Sequence, residues 1–545
     1  EQLAGDLLPE ATEAQRVASA FHRNAATNLE AGTDPKEDRY KMTVDRVNTT
    51  GTIWLGTTVG CAQCHNHKYD PLTTKEYYQL FAFFNQGPME TRQQGKEMGM
   101  AGLVAIGPTL PVNLTAEDQA VLKDETQMYR ARLAELESQV RSQAAALLKR
   151  RADAVPEKIR ARLESDDSMS LAECKEVVTK VIKRSGLNSE VEKIEIMADR
   201  LKAARGKDLR IMQDLPEWVP TMVAKRGDFQ STGEEVRPGT PASLPPFSED
   251  LPRNRLGLAR WLVSPENPLV GRAFINRMWQ EVFGQGLVST PEDFGVQGAA
   301  PTHPELLDWL AATFVQQDGW SMKQALRRIL LSATYRQSVA VRSEAAEIDP
   351  QNTLLWRHPG QRLKAELIRD QALAISGLLS RRLFGPNVRP HQPEGVWRKT
   401  AGASETYWVD STGENAHRRG IYTLWRRNAH YPSFANFDAP DRAACTVRRD
   451  SSNTPLQALT LLNDPAYVEM AQAFAQRIQE EGGSDVAERL QWAFRSAVAR
   501  APSAAEMDLL NETYTAAARQ DSSDEAGWVE VATVLLNLHE TLCHN

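Results

Sequence analysis

The chain has 545 residues, of which 41% are hydrophobic and 25% charged. This composition is typical of a globular protein, and the length is too great for one compact core. The formal net charge of −7 gives no support for binding nucleic acid or an anionic membrane surface. Five cysteines are too few for a disulfide framework, and no run of about 18 apolar residues predicts a transmembrane helix.

Taken in chain order, the predicted elements are mostly helices, and they divide the chain into four parts. In residues 1–90, apolar residues recur at helical spacing, and an aromatic helix is expected near Thr74 to Phe84. Residues 91–220 are interpreted as a connector that carries a coiled-coil-like helical hairpin, with apolar seams over 122–147 and 171–204. Residues 221–250 are a Pro- and Gly-rich linker with a short strand at Thr221. The predicted fold is therefore mainly α and multi-helical, with minor short β elements.

Residues 251–545 are predicted to form a helical C-terminal domain. Its helix signals include Gly284 as a stop, Pro304 in a first turn, Ser321 as a cap and a capping box at Thr454. We expect helices over 255–262, 274–283 and 364–379. The alternating stretch from Gly420 to Trp425 predicts a strand.

The stretch Gly60-Cys-Ala-Gln-Cys-His65 makes the most definite chemical suggestion in the chain. Two thiols in a Cys-x-x-Cys-His spacing can each form a thioether to a porphyrin vinyl group. The imidazole beside the second thiol is then placed to bind the iron. We therefore predict covalent haem c, with Cys61 and Cys64 as attachment thiols and His65 as the iron ligand.

Other interpretations of this motif remain open. A zinc ion can be held by the two thiols with His65 or His67, but zinc sites usually have four ligands in two close pairs, and no second pair is present. A motif that binds nothing is the remaining alternative. We expect His67 to hydrogen-bond locally, to Asp70 or to a haem propionate.

The surroundings of the predicted haem site also have two readings. The aromatic helix presents Tyr77, Leu80, Phe81 and Phe84 on one face, which either packs in a core or forms a wall beside the haem. A sixth iron ligand would come from elsewhere in the chain, and its candidates are His22, Met42, Met89, Met98 and Met100.

A second polar region lies between residues 417 and 449. Arginines, histidines and aromatic side chains in one region suit a sugar or an anionic ligand, and a charged surface between helices is the other explanation. No Gly-x-Ser-x-Gly elbow, P-loop or dinucleotide fingerprint is present, so the sequence leaves open whether the chain is an enzyme. The candidate pocket residues are His417, Arg418, Trp425, Arg448 and Arg449.

Several stretches resemble a large family of secreted, cytochrome-c-type proteins that is abundant in planctomycetes. Members pair two adjacent domains of unknown function, often behind a separate N-terminal cytochrome c domain. The stretches that carry the resemblance are Glu1 to Pro9, Asp45 to Gly51, Gly60 to Pro71, Tyr77 to Asn85, Asn254 to Leu262, Asn276 to Trp279, Thr290 to Gly295, His303 to Asp308, Phe437 to Asp441, and Cys445 to Pro465.

The resemblance implies export, a multi-helical architecture, and that residues 1–90 are the C-terminal part of a haem c-like domain whose front half is missing here. The expected function is that of an extracytoplasmic, periplasmic or secreted, haem protein. It would transfer electrons to or from a redox partner protein or a separate cytochrome domain. The alternatives are a protein that acts on or binds extracellular glycan through the 417–449 region, and a structural or interaction protein whose CxxCH motif holds zinc or is empty.

Overall fold

A computed structural model describes residues 1–25, 34–94, 102–111, 208–385, 387–393, 408, 410–425 and 429–544, with isolated positions between 119 and 142. The fold is mainly α-helical, as predicted, and its strands form short antiparallel pairs. Apart from isolated positions, the predicted helical hairpin over 122–147 and 171–204 lies outside the described residues.

The α-helices span Glu13–Ala18, Pro35–Thr50, Thr74–Phe84, Arg255–Leu262, Pro268–Phe283, Pro304–Gln316, Met322–Leu330, Ser343–Ile348, Ala365–Ile375, Pro432–Asn436, Pro455–Asn463, Pro465–Glu481, Val486–Val498, Ala504–Gln520, Asp524–Asn537 and His539–Leu542. The paired strands are Thr91–Gln94 with Gly102–Ala105, Thr109–Leu110 with Leu209–Arg210, Thr221–Ala224 with Thr232–Val236, and Gln361–Arg362 with Cys543–His544.

Local sequence signals set many of these boundaries. The Ser321 side chain accepts a hydrogen bond from the Gln324 amide, and Thr454 forms a capping box with Gln457, so both predicted caps are confirmed. Gly284 ends its helix in a left-handed conformation, with φ of 76°. The predicted helix boundaries at 274 and 379 were wrong, because those helices span Pro268–Phe283 and Ala365–Ile375.

The predicted strand from Gly420 to Trp425 is wrong. Gly420–Tyr422 forms a 3-10 turn, and only Thr423 makes a single β-bridge, to Val388. The turn lies against the helix Ala365–Ile375, where the Gly420 amide donates to the Asp370 carboxylate at 2.5 Å. This contact satisfies a backbone donor that a strand would pair with a neighbouring strand.

A first apolar core forms around the N-terminal region. The helix Thr74–Phe84 contributes six buried side chains to it, because its aromatic and aliphatic residues cover most of its surface. The strands Thr221–Ala224 and Thr232–Val236 form a β-hairpin, called the hairpin below, which adds Ala224 and Val236 to this core. The helix Arg255–Leu262 adds Leu258, Trp261 and Leu262. The apolar packing therefore continues across the boundary that sequence analysis drew between 250 and 251.

A buried ion cluster ties the same helix to the chain start. Arg255 is fully buried, and its guanidinium donates to both carboxylate oxygens of Asp6 at 2.8 and 2.6 Å and to Asp214 at 2.8 Å. It also donates to the Leu3 carbonyl at 2.9 Å. Burial opposes the charge, but these hydrogen bonds outweigh it and raise the pKa of Arg255.

Two further cores follow in the C-terminal region. The helix Pro268–Phe283 contributes Val270 to the first core, and Ile275, Trp279 and Phe283 to the second. The third core is built from the helices between Ala365 and Asn537, with Trp528 completely buried in it. A single helix therefore joins the first two cores directly.

Candidate functional site

The CxxCH segment is held by its small apolar residues and presents its reactive ones to solvent. Val59–Gln63 forms a 3-10 helix in which Val59 and Ala62 are buried. Cys61 and Cys64 are free, exposed thiols. Because buried positions recur every third residue, as the period of a 3-10 helix requires, the backbone is fixed while both cysteines remain exposed.

His65 has its ring oriented by a local hydrogen bond. Its Nδ1 lies 2.7 Å from the Asn66 carbonyl, which can only accept, so Nδ1 carries the proton. The neutral imidazole then has its lone pair on Nε2, and the side chain is exposed. Histidines that ligate metals usually have this arrangement, in which a hydrogen bond from one nitrogen leaves the other free to bind.

His67, only two residues further on, has a different role. Its side chain is nearly buried, and Nδ1 accepts hydrogen bonds from the Asp70 and Tyr69 amides at 2.8 and 3.3 Å. Nε2 therefore carries the proton and donates to Thr58 Oγ1 at 3.1 Å. The predicted local hydrogen bond is present, but its partner at residue 70 is the backbone, so both ring nitrogens brace the loop.

Two tyrosine side chains, Tyr78 and Tyr40, form hydrogen bonds that support the CxxCH segment. Tyr78 donates to the Gln63 carbonyl at 3.2 Å, and its hydroxyl lies 2.8 Å from that of Tyr40. Burial, followed by the hydrogen bond to Tyr40, raises the pKa of Tyr78 far above its usual range, so the phenol stays neutral. A Cβ atom at Gly227 would lie 2.7 Å from Cys64 Sγ, so glycine lets the hairpin approach the thiol.

Hydrogen bonds join residues in and just before the CxxCH segment to the C-terminal region. Asp70 Oδ1 accepts a hydrogen bond from the Val296 amide at 2.7 Å, and the Phe294 amide donates to the Gly56 carbonyl at 2.7 Å. A Cβ atom at Gly295 would lie 2.4 Å from the Asp70 carboxylate. This contact was not predicted from the sequence, although Asp70 and Gly295 both lie in stretches that carried the family resemblance.

The aromatic face of the helix Thr74–Phe84 packs in the protein core. Tyr77, Leu80, Phe81 and Phe84 are all buried among other side chains of the first core. They form no wall open to a surface group, so the core interpretation holds. Of the candidate sixth ligands, His22 and Met42 are also buried, Met89 is half-buried, and Met98 and Met100 lie outside the described residues.

The CxxCH segment supplies two thiols and one imidazole, and the haem and zinc interpretations differ in what else they require. Two accessible thiols and an imidazole with a free Nε2 are the groups that covalent haem requires. Both His67 nitrogens are already engaged. Within the described ranges, no group of three or more His, Cys, Asp or Glu side chains is arranged to hold a metal ion.

The five candidate pocket residues between 417 and 449 do not form one open site. Arg418 is completely buried, with its guanidinium 3.9 Å from the centre of the Tyr422 ring. His417 Nε2 lies 2.8 Å from a Glu469 carboxylate oxygen. The side chain of Arg448 is exposed. These three side chains therefore face different surroundings.

The other two candidates, Trp425 and Arg449, lie at a surface where arginine side chains pair with Glu366. Arg449 donates to both oxygens of Glu366, at 2.6 and 3.2 Å. Arg442 lies 3.4 Å from the same carboxylate and 4.3 Å above the Trp425 ring. Burial opposes ionisation, but the hydrogen bonds from Arg449 and the two cations lower the pKa of Glu366. This arrangement resembles the charged inter-helix surface that was the alternative explanation.

Comparisons with known proteins give two family matches. Residues 1–88 match the family model PSCyt2, described as "Protein of unknown function (DUF1549)". Residues 254–514 match the family model PSD1, described as "Protein of unknown function (DUF1553)". No curated protein and no solved structure matches the chain. In the part of the chain that the structure describes, no helix has both the length and the apolar character needed to cross a membrane.

These matches agree with the expected pair of adjacent domains of unknown function. The first contains the whole CxxCH segment, and the second contains Gly295, the 417–449 region and the capping box at Thr454. Neither description names a cofactor or a reaction. The chain is thus similar to PSCyt2 over its N-terminal region and to PSD1 over most of its C-terminal region, both families of unknown function.

Proposed function

We propose that the chain is an extracytoplasmic c-type haem protein that transfers electrons to or from a partner protein. The observation that carries the proposal is the state of the Cys61-x-x-Cys64-His65 segment. Both thiols are free and exposed, and the hydrogen bond from His65 Nδ1 to the Asn66 carbonyl leaves Nε2 free. These are the groups needed for covalent attachment and axial ligation.

Each residue of the segment has a distinct part in this proposal. Cys61 and Cys64 would hold the porphyrin through thioether bonds, and His65 would bind the iron. When bound, haem c supplies one-electron chemistry. The protein holds the three side chains at its surface, because buried Val59 and Ala62 and the brace at His67 fix the backbone behind them.

The exposed position also bears on the partner and the compartment. An exposed redox group is accessible to a second protein, so a separate cytochrome domain or another redox protein is the expected partner. Covalent haem c is attached outside the cytoplasm, so the periplasmic or secreted location belongs to the same proposal. Neither follows from the overall charge of the chain.

The test is expression in a host with a c-type maturation system. A denaturing gel stained for haem, together with a pyridine haemochrome spectrum, should show covalent haem in the original chain. The Cys61→Ala/Cys64→Ala variant should lose it completely. The Cys445→Ala variant removes another exposed free thiol and should retain it.

The His65→Ala variant separates attachment from ligation. It should keep covalent haem through the two thioethers, but its absorption spectrum should change because the axial imidazole is lost. An original chain without covalent haem contradicts the proposal. So does purified protein that contains zinc in place of iron by elemental analysis.

A further inference from the structure

A cavity of about 750 Å³ opens where several parts of the C-terminal region meet. Its walls come from the end of the helix Pro268–Phe283, residues 351–362, the stretch 451–461 that begins the helix Pro455–Asn463, and residues 537–543. We call it the Arg362 cavity. Its volume lies within the range of about 300–1,000 Å³ that is usual for small-molecule sites.

The lining of the Arg362 cavity is polar but contains no carboxylate. Among the described residues that line it, there is no Asp or Glu, whereas Arg357, Arg362 and His539 are basic. The amides and hydroxyls come from Gln285, Thr302, Gln351, Asn352, Thr353, Ser451, Ser452, Asn453, Thr454, Gln457 and Asn537. This combination favours a ligand with negative charge and several hydrogen-bonding groups.

A fixed network forms the floor of the cavity. Arg362 donates to Asp438 at 2.5 Å and to the Ser452 carbonyl. Ser452 in turn donates to both Asp438 oxygens, from its amide at 2.8 Å and its hydroxyl at 2.7 Å. The Gln457 side chain donates to the Ser452 carbonyl at 3.2 Å. The loop before the helix Pro455–Asn463 is therefore held in place before any ligand binds.

Two guanidinium groups line the cavity, and they have different partners. Arg357 donates to the Val339 carbonyl at 3.4 Å, and the Nε atoms of both arginines are buried away from the cavity surface. Arg362 is already paired with Asp438, but no described carboxylate forms an ion pair with Arg357. A guanidinium without a paired carboxylate favours an anionic ligand. The Arg357 side chain therefore makes the wall formed by residues 351–362 suited to a negatively charged group.

The part of this wall that precedes Arg357 has a constrained backbone. Asn352 and Leu355 have positive φ angles of 55° and 56°, which are uncommon for residues other than glycine. The Asp349 carboxylate fixes this turn by accepting hydrogen bonds from the Thr353 and Leu354 amides at 3.0 and 2.7 Å. Backbone in such conformations is often retained at binding sites, where it positions side chains.

We infer that the Arg362 cavity binds an anionic saccharide. Its basic wall at Arg357 would receive the carboxylate or sulfate of the sugar, and its amides and hydroxyls would pair with the sugar hydroxyls. This site is independent of the proposed haem segment and distinct from the 417–449 residues that sequence analysis singled out.

The test is isothermal titration of the full chain with digalacturonate, and with galactobiose, which differs by lacking the carboxylates. Acetate serves as a simple carboxylate. We expect digalacturonate to bind at least about tenfold more tightly than either comparison ligand, because only it offers both charge and hydroxyls.

Variants locate the binding site without removing a structural ion pair. Gln285 and Gln351 are exposed residues of the lining, so Gln285→Glu and Gln351→Glu should fold and add a like charge to the cavity. Together they should weaken digalacturonate binding about tenfold. Gln230→Glu makes the same change at an exposed position on the distant hairpin and should leave binding unaltered.

Four results would overturn the inference. They are absence of digalacturonate binding, equal affinity for galactobiose, equal affinity for acetate, and an unchanged affinity in the Gln285→Glu/Gln351→Glu variant. Loss of binding in the Gln230→Glu variant would likewise place the site elsewhere.

Discussion

The CxxCH segment and the Arg362 cavity arrange their polar groups in opposite ways. In the first, buried Val59 and Ala62 hold a short helix whose thiols and imidazole face the solvent. In the second, amides, hydroxyls and guanidinium groups surround a volume of about 750 Å³. A surface arrangement suits attachment of a large group, whereas a concave one suits recognition of a small molecule.

The supports of the two regions also differ. The CxxCH segment rests on hydrogen bonds of the His67 ring, the Tyr78 hydroxyl and the Asp70 carboxylate to uncharged partners. The cavity floor rests on the ion pair between Arg362 and Asp438. One chain thus combines two sites whose chemistry and stability should respond separately to substitution.

The largest expected effect comes from removing Arg255, whose buried side chain joins the helix Arg255–Leu262 to Asp6 and Asp214. Arg255→Ala would leave the carboxylates of Asp6 and Asp214 inside the fold without their cation, at a cost of about 3–5 kcal/mol in the free energy of unfolding. Urea denaturation followed by circular dichroism measures it. Arg260→Ala, at an exposed position on the same helix, should change the free energy by less than about 0.5 kcal/mol. Equal effects of the two variants would contradict the buried cluster.

The contact between the CxxCH segment and the C-terminal region should yield next. Gly295→Ala places a Cβ atom 2.4 Å from the Asp70 carboxylate, so the carboxylate must leave the Val296 amide. We expect a loss of about 1–3 kcal/mol and faster cleavage by trypsin after the exposed Lys68. Gly87→Ala, whose Cβ would meet nothing closer than 3.9 Å, serves as the control. An unchanged cleavage rate at Lys68 would show that the contact does not restrain the segment.

A third prediction concerns pH and two buried histidines, His22 in the N-terminal region and His358 in the C-terminal region. Burial, followed by the charges of Arg46 and Arg255, holds the pKa of His22 well below 6.5, and burial also lowers the pKa of His358. Below about pH 6.5 the His22 imidazole binds a proton in the unfolded chain but not in the folded chain. The free energy of unfolding therefore falls as the pH falls. His22 alone contributes a slope of up to about 1.4 kcal/mol per pH unit.

The His22→Phe variant should remove that slope between about pH 6.5 and pH 5. Its unfolding free energy, measured by urea denaturation at several pH values, should therefore depend less on pH than that of the original chain. Phe84→Leu alters the ring packed 5.1 Å from His22 but keeps the ionisable group, so it should lower stability without changing the slope. Equal slopes for His22→Phe and the original chain would sink the prediction.

The smallest effect is expected at the surface around Glu366. Arg449→Ala removes two hydrogen bonds to Glu366 from a partly exposed pair, at a cost of about 1 kcal/mol. Arg448→Ala, at the exposed neighbouring position, should cost less than about 0.5 kcal/mol. Thermal unfolding distinguishes them. Neither variant should weaken digalacturonate binding, because neither residue lines the Arg362 cavity.

Sequence patterns predicted the local elements well, because caps and helical periodicity act within a few residues. The capping box at Thr454 and the stop at Gly284 are such signals. Alternation from Gly420 to Trp425 misled, because the turn is fixed by Asp370, 50 residues away in sequence. Local patterns do not encode a partner of that kind.

The candidate sites show the same division. The CxxCH spacing was visible because its residues are adjacent, and its role in haem attachment stays a prediction. The Arg362 cavity was missed because Trp279, Arg362, Ser452 and His539 come from widely separated stretches. Arg255 gave no signal either, since a single arginine in a helix resembles a surface residue until its carboxylate partners are located.

The shared packing of the helix Arg255–Leu262 limits how the chain can be divided. A fragment cut to the second family match, residues 254–514, would carry Leu258, Trp261 and Leu262 without the core that covers them. It would also end before Trp528, Val531 and Leu535, which fill the third core. Such a fragment would expose apolar surface near both ends, which favours association between copies. The limits of a family match therefore mark sequence similarity in this chain, and we expect autonomous folding to require longer pieces.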